Sequence, residues 1–142
     1  MNARAEDGST LILTIFYGFL SLLLVLLVVA AASLYLERKR LFTLADGAAL
    51  VGAEAFELDT VSVTPDGPRV ELESADVASA VDSYLDSVPT DFESLAVDRA
   101  TTLDGRSATV ALSAYWRPPI VALLLPDGIR IEVTAVARSV FS

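Results

Sequence analysis

The sequence predicts an α+β protein in which one long N-terminal transmembrane helix continues into a small domain with an antiparallel sheet and one amphipathic helix. Three observations support this prediction: an uncharged apolar run from Ser9 to Leu36, an alanine-rich segment without proline after it, and strand-like alternation beyond Leu58. The predicted parts are a leader at 1–8, a transmembrane helix at 9–36, its extramembrane continuation at 37–58, and the small domain at 59–142.

The uncharged run is long enough to cross a membrane. A bilayer core about 30 Å thick requires about 20 apolar residues at about 1.5 Å per residue. The alternatives are a buried helix of a soluble protein and a cleaved secretory signal, whose apolar core is only about 7–15 residues long. Glu37-Arg38-Lys39-Arg40 follows the run and Arg4 precedes it. This charge distribution alone favours a cytoplasmic location for the small domain.

Small residues recur at helical spacing in the predicted continuation of the helix. This helix-packing stripe consists of Ala45, Ala48, Ala49, Gly52 and Ala53. Small side chains allow a helix backbone to approach its neighbour closely. The neighbour is either the chain's own small domain or another copy or related subunit, and the spacing leaves both open.

The small domain is predicted to contain two short strands, one helix and three longer strands. The short strands, Thr60–Val63 and Arg69–Glu73, flank a turn at Pro65-Asp66-Gly67. The amphipathic helix covers Ala75–Val88, with Ser74 as its N-cap. The longer strands, which form the antiparallel sheet, are Ser94–Thr101, Ser107–Tyr115 and Ile129–Val140.

An uninterrupted apolar segment lies between the last two strands. Its candidate contact residues are Ile120, Val121, Leu123, Leu124 and Leu125. The segment is either a turn of helix that crosses the core or an exposed patch for a partner or the lipid surface. Trp116, just before it, is predicted to be a core residue.

Composition argues against several classes of function. The chain has no cysteine and no histidine, which rules out a Ser–His–Asp triad, a Cys–His dyad and a thiolate zinc site. The net charge of -9 argues against nucleic-acid binding. The one lysine, Lys39, lies at the membrane edge. The ligand spacing of a calcium loop is absent around Asp46-Gly47, Asp66-Gly67, Asp104-Gly105 and Asp127-Gly128. We therefore expect no enzyme activity, no catalytic, cofactor-binding or metal-binding residues, no cofactor and no small-molecule substrate.

The first 56 residues resemble the TadE/TadG-like proteins, the minor pilins or pseudopilins of tight-adherence (Flp, type IVc) pilus systems. The leader ends in Asp7-Gly8, the apolar helix follows, and a basic cluster precedes the motif at Ala45–Ala53. That motif is similar to the family pattern Ala-Asp-x-Ala-Ala-Leu-x-x-Ala. The closing segment, IEVTAVARSVF, also resembles the family's last strand.

The resemblance implies a pilin-like head outside the bacterial cytoplasmic membrane on a single-pass protein, which could be incorporated in a pilus. It also implies cleavage by prepilin peptidase after Gly8 and before Ser9, with other pilin-like subunits or the assembly platform as partners. Leu13 departs from the pattern, because type IV prepilins carry Glu at the fifth residue after the cleavage site. We follow the resemblance for the location of the head. The alternative is a membrane-anchored binding module whose cytoplasmic head recruits a soluble partner.

Overall fold

The computed structural model describes residues 3–55, 62–65, 67–69, 71–118 and 126–138. It has the predicted α+β architecture, with a long apolar N-terminal helix, a second helix and a three-stranded antiparallel sheet. In chain order the elements are α1 (Ala3–Ala53), β1 (Ser62–Thr64), β2 (Gly67–Arg69), α2 (Ser74–Ser87), β3 (Glu93–Thr102), β4 (Ser107–Trp116) and β5 (Ile129–Arg138). The chain divides into an N-terminal unit, Met1–Tyr35, and a C-terminal unit, Leu36–Ser142.

Helix α1 begins earlier and ends earlier than the predicted range of about Ser9 to Leu58. It starts at Ala3, and its last helical residue is Ala53. At the end, the Glu54 amide donates to the carbonyl oxygens of both Leu50 and Val51, each at 3.2 Å. These bonds tighten the last turn, which is a common way for a helix to end. Within the described part of the chain, α1 is the helix long and apolar enough to cross a membrane.

Strands β1 and β2 form a separate antiparallel hairpin. Thr64 pairs with Gly67, and Ser62 pairs with Arg69. Gly67, which was predicted to belong to the turn, therefore lies in a strand. The second strand ends at Arg69, where the sequence had predicted it to begin.

Helix α2 confirms the predicted amphipathic helix but not its predicted N-cap. Its N-cap is Glu73, which makes no side-chain capping hydrogen bond. The Ser74 hydroxyl instead accepts from the Thr102 amide at 3.2 Å and lies 3.3 Å from the Thr102 carbonyl oxygen. Ser74 therefore connects the start of α2 to the end of β3. Val77 and Val81 are the buried residues of the helix.

The sheet has the strand order β3–β4–β5. β4 and β5 pair without interruption from Ser107 opposite Arg138 to Trp116 opposite Ile129. β3 and β4 pair with two register shifts, one of them between Val97 and Arg99. β5 was predicted to reach Val140, and residues 139–142 lie outside the described residues.

The core of the C-terminal unit lies between the sheet, α2 and the last part of α1. On β4 the alternating residues Ala108, Val110, Leu112 and Ala114 are buried. The prediction that Trp116 is a core residue is confirmed, since it is 8% exposed. Ala111 and Ser113, on the other face of β4, are buried as well. They are small side chains on the central strand, and the long Arg130 side chain from β5 crosses over Ser113.

Candidate functional site on the long helix

The helix-packing stripe lies in the interior of the C-terminal unit. Ala45, Ala48, Ala49, Gly52 and Ala53 are all buried. At Gly52 the packing is tight: a Cβ atom there would lie 3.1 Å from Val77 Cγ1, 3.3 Å from Ala108 Cβ and 3.4 Å from Val81 Cγ2. Small residues at these positions therefore let α1 approach both α2 and β4.

Gly47 marks a second close approach between α1 and α2. A Cβ atom at this position would overlap the Tyr84 hydroxyl group and lie 3.1 Å from Tyr84 Cζ. The Tyr84 ring thus occupies the space that any larger residue would need. Together with Gly52, this contact shows that the stripe is covered within a single chain by its own α2 and β4.

A different face of α1 is exposed in the C-terminal unit. Phe42 and Leu50 are 47% and 50% exposed, and Asp46 between them is also exposed. Residues four apart lie on the same side of a helix, so these three form one strip. We call Phe42, Asp46 and Leu50 the outer strip. The outer strip was not predicted from the sequence, although large apolar residues eight apart and outside the small-residue stripe were an available signal.

A cleft of about 250 Å³ lies at one end of the C-terminal unit, the end where the unit begins in α1. It is lined by Glu37, Asp91, Glu93, Tyr115, Trp116 and Arg117. We call it the base cleft. Arg40 pairs with Glu37 at 3.4 Å and with Asp91 at 3.8 Å. Arg117 pairs with Glu93 at 3.1 Å. The carboxylates of the cleft are thus balanced by arginines.

Two polar contacts fix other parts of the sheet. Arg130 Nη2 on β5 donates to both carboxylate oxygens of Asp98 on β3, at 3.0 and 2.9 Å, and to Ser113 Oγ on β4 at 3.2 Å. In the turn between β3 and β4, the Arg106 and Ser107 amides donate to Asp104. These backbone bonds, with the Ser107 hydroxyl, lower the pKa of Asp104 to about 2. Both arrangements hold strands together.

The other predicted site residues lie apart from this surface. Gly8 and Ser9, which flank the predicted cleavage point, are exposed and belong to α1. The candidate contact residues Ile120, Val121, Leu123, Leu124 and Leu125 lie outside the described residues. Among the residues that the structure describes, no cluster of three or more acidic side chains is arranged to hold a metal ion.

These features define a class of protein: a small α+β unit joined to a long helix that is a candidate membrane anchor. Residues 8–55 match the family described as "Putative Flp pilus-assembly TadE/G-like". The match confirms the resemblance to TadE/TadG-like proteins and covers the apolar run, the basic cluster and the stripe. It supports involvement in Flp pilus assembly, and the apolar helix suggests anchoring in a membrane. No curated protein and no solved structure matches the chain significantly.

Proposed function

We propose that this chain is a minor pilin or pseudopilin-like component of Flp pilus assembly. It is anchored in the bacterial cytoplasmic membrane by α1, with the C-terminal unit outside the cytoplasm. It acts by helix packing and protein–protein contact, without catalysis or a cofactor. The observation that carries this proposal is the TadE/G-like match at residues 8–55, which includes the membrane anchor and its extension.

The proposed contacts with other subunits use the exposed faces of α1. The small-residue stripe is buried within one chain, so it offers no surface to a neighbour. The apolar run is exposed along its length, and the outer strip adds Phe42 and Leu50 beyond it. In lipid, apolar helices associate by packing and hydrogen bonding. Beyond lipid, burial of Phe42 and Leu50 adds a hydrophobic contribution. The proposed partners are pilin-like subunits or the assembly platform.

A complementation experiment tests this role. In a strain lacking the gene, the wild-type chain is expected to restore pili, whereas Phe42→Ser combined with Leu50→Ser is expected to restore few or none. Val136→Ser is the matched control, because Val136 is 62% exposed but lies on β5. Immunoblots must show equal amounts of each protein. Full piliation with the double variant would contradict the proposed use of the outer strip.

Topology is tested with reporters fused to the C-terminus. Alkaline phosphatase is active only outside the cytoplasm, so the proposal expects an active phosphatase fusion and an inactive cytoplasmic reporter. The reverse result would reject the pilin-like reading. It would favour the cytoplasmic binding module, which the basic residues Arg38, Lys39 and Arg40 support through the charge rule.

Processing by prepilin peptidase is a separate part of the proposal. Cleavage between Gly8 and Ser9 would leave Ser9 as the first residue of the mature chain. Mass spectrometry of the purified protein determines the N-terminus directly. A chain that keeps Met1 or Asn2 would contradict processing and favour an unprocessed assembly factor, in line with Leu13 at the position where prepilins carry Glu.

A further inference from the structure

The base cleft brings three separate segments of the C-terminal unit together. Glu37 comes from α1, Asp91 lies in the connection between α2 and β3, Glu93 begins β3, and Arg117 follows β4. Glu37 is also the first charged residue after the uncharged run. Arg38 and Lys39 therefore lie within about 5 Å of the end of that run along the helix axis. If α1 crosses a bilayer with this run, the base cleft lies at the level of the lipid headgroups.

The charges at this end leave two cations without a partner among the described residues. Arg40 is held by Glu37 and Asp91, and its guanidinium also lies 5.7 Å from the centre of the Phe92 ring. Arg38 and Lys39 are exposed, and neither makes an ion pair within the described part of the chain. Their charges are therefore available to an anion from outside the protein.

The aromatic residues at the same end fit a lipid–water interface. Tyr115 is 41% exposed and Phe92 is half-buried, whereas Trp116 is buried next to the same cleft. Tyrosine is enriched at membrane surfaces, where basic residues attract anionic headgroups. We propose that Arg38 and Lys39 bind anionic phospholipid headgroups, so that the base cleft end of the C-terminal unit lies on the bilayer surface. This inference needs only that α1 spans a membrane, so it is independent of the pilus role and of which side the unit occupies.

Trp116 provides an intrinsic probe, because it is the only tryptophan in the chain. The full chain is reconstituted in vesicles of phosphatidylcholine with about 30% phosphatidylglycerol, whose anionic headgroups attract basic residues near the membrane surface. A nitroxide near the headgroup is carried in one sample on phosphatidylglycerol and in another on phosphatidylcholine. Quenching of Trp116 fluorescence is expected in both samples, and about two-fold stronger with labelled phosphatidylglycerol.

Two variants separate headgroup binding from simple proximity. Arg38→Gln combined with Lys39→Gln is expected to bring the ratio of the two quenching values to about one. The matched control removes two arginines at the other end of the sheet, Arg106→Gln with Arg138→Gln, and is expected to keep the wild-type ratio. Circular dichroism must show the same helix content in all three proteins.

Each of the following three results would overturn the proposal. Absence of Trp116 quenching in the wild-type chain would show that the base cleft end lies away from the bilayer. This measurement requires no substitution. Equal quenching by both labelled lipids in the wild-type chain would show contact without recognition of anionic headgroups. A ratio that falls equally in the control variant would show an effect of overall charge. None of these outcomes depends on piliation, so failure here is distinguishable from failure of the proposed function.

Discussion

The contact around Gly52 predicts how Gly52→Ala changes the free energy of unfolding. Whether the change is a gain or a loss depends on how α1 packs in the C-terminal unit. Gly52→Ala adds one methyl group in a helix, which by propensity alone stabilises by about 1 kcal/mol. The same methyl group would lie 3.1 to 3.4 Å from carbon atoms of Val77, Val81 and Ala108. The Ala108 Cβ is fixed to the backbone of β4 and cannot rotate away. Such overpacking costs about 1–3 kcal/mol, which exceeds the gain in helix propensity. We therefore expect Gly52→Ala to lower the free energy of unfolding by about 1 kcal/mol.

The assay is urea unfolding of the full chain in detergent micelles, followed by the fluorescence of Trp116. Gly18→Ala is the control, because in the described part of the chain no atom beyond the adjacent helix backbone lies within 4 Å of a Cβ at that position, and it should leave the Trp116 transition unchanged. In a Val77→Ala background the nearest clash is removed, so the cost of Gly52→Ala should fall below about 0.5 kcal/mol. A Gly52→Ala protein that is as stable as the wild type, or more stable, would refute close packing of α1 on α2 and β4.

Three further predictions use the same unfolding assay. Gly47→Ala should destabilise by about 1 kcal/mol, and Tyr84→Phe in that background should recover part of the loss, because the Tyr84 hydroxyl is the nearest atom. The pKa of Asp104 is lowered from 3.8 to about 2. The stabilisation of the fold by the Asp104 carboxylate is therefore complete above pH 3.8 and is lost as the pH falls towards 2. Asp104→Asn should abolish this component of the pH dependence of stability. Asp98→Asn should cost about 0.5–1 kcal/mol by weakening the contact with Arg130, and an unchanged urea midpoint would contradict it.

The elements with strong local signals could be predicted from the sequence. The uncharged run defined the long helix, and the alternation in Ser107–Tyr115 defined the central strand, because both patterns reflect burial that repeats along one element. The ends of α1 were less predictable. Ala53 ends the helix although the next residues, Glu54 and Ala55, are good helix formers, so local propensity could not locate the end.

The errors in the C-terminal unit come from contacts between distant segments. Ser74 precedes a helical pattern and resembles an N-cap, but its hydroxyl group is bonded to the Thr102 backbone, 28 residues away. Ser113 alternates with apolar residues along β4, and the alternation gives no sign that Arg130 from the neighbouring strand covers it. A sequence pattern describes one element at a time and contains no information on which neighbour will supply a partner.

At the candidate site, too, the sequence pattern described one helix face but not its neighbour. Ala45, Ala48 and Gly52 of the stripe share one face of α1, because three- and four-residue steps determine a helical face. The spacing could not determine what covers that face. Val77 and Val81 of α2 lie against it at Gly52, and both are fully buried. Neither the spacing in α1 nor the periodicity of α2 indicated that these two helix faces pack against each other.

The motif at Ala45–Ala53 therefore contains two kinds of residue with different surroundings. Ala45 is fully buried, whereas the adjacent Asp46 is exposed between Phe42 and Leu50. The small residues of the motif stabilise the chain's own fold, so any partner that binds this part of α1 contacts the outer strip instead. Such an interface would bury a carboxylate between two apolar side chains, which is costly unless the partner supplies a cation. A basic residue at this level of the partner would then determine which subunits can pair with this one.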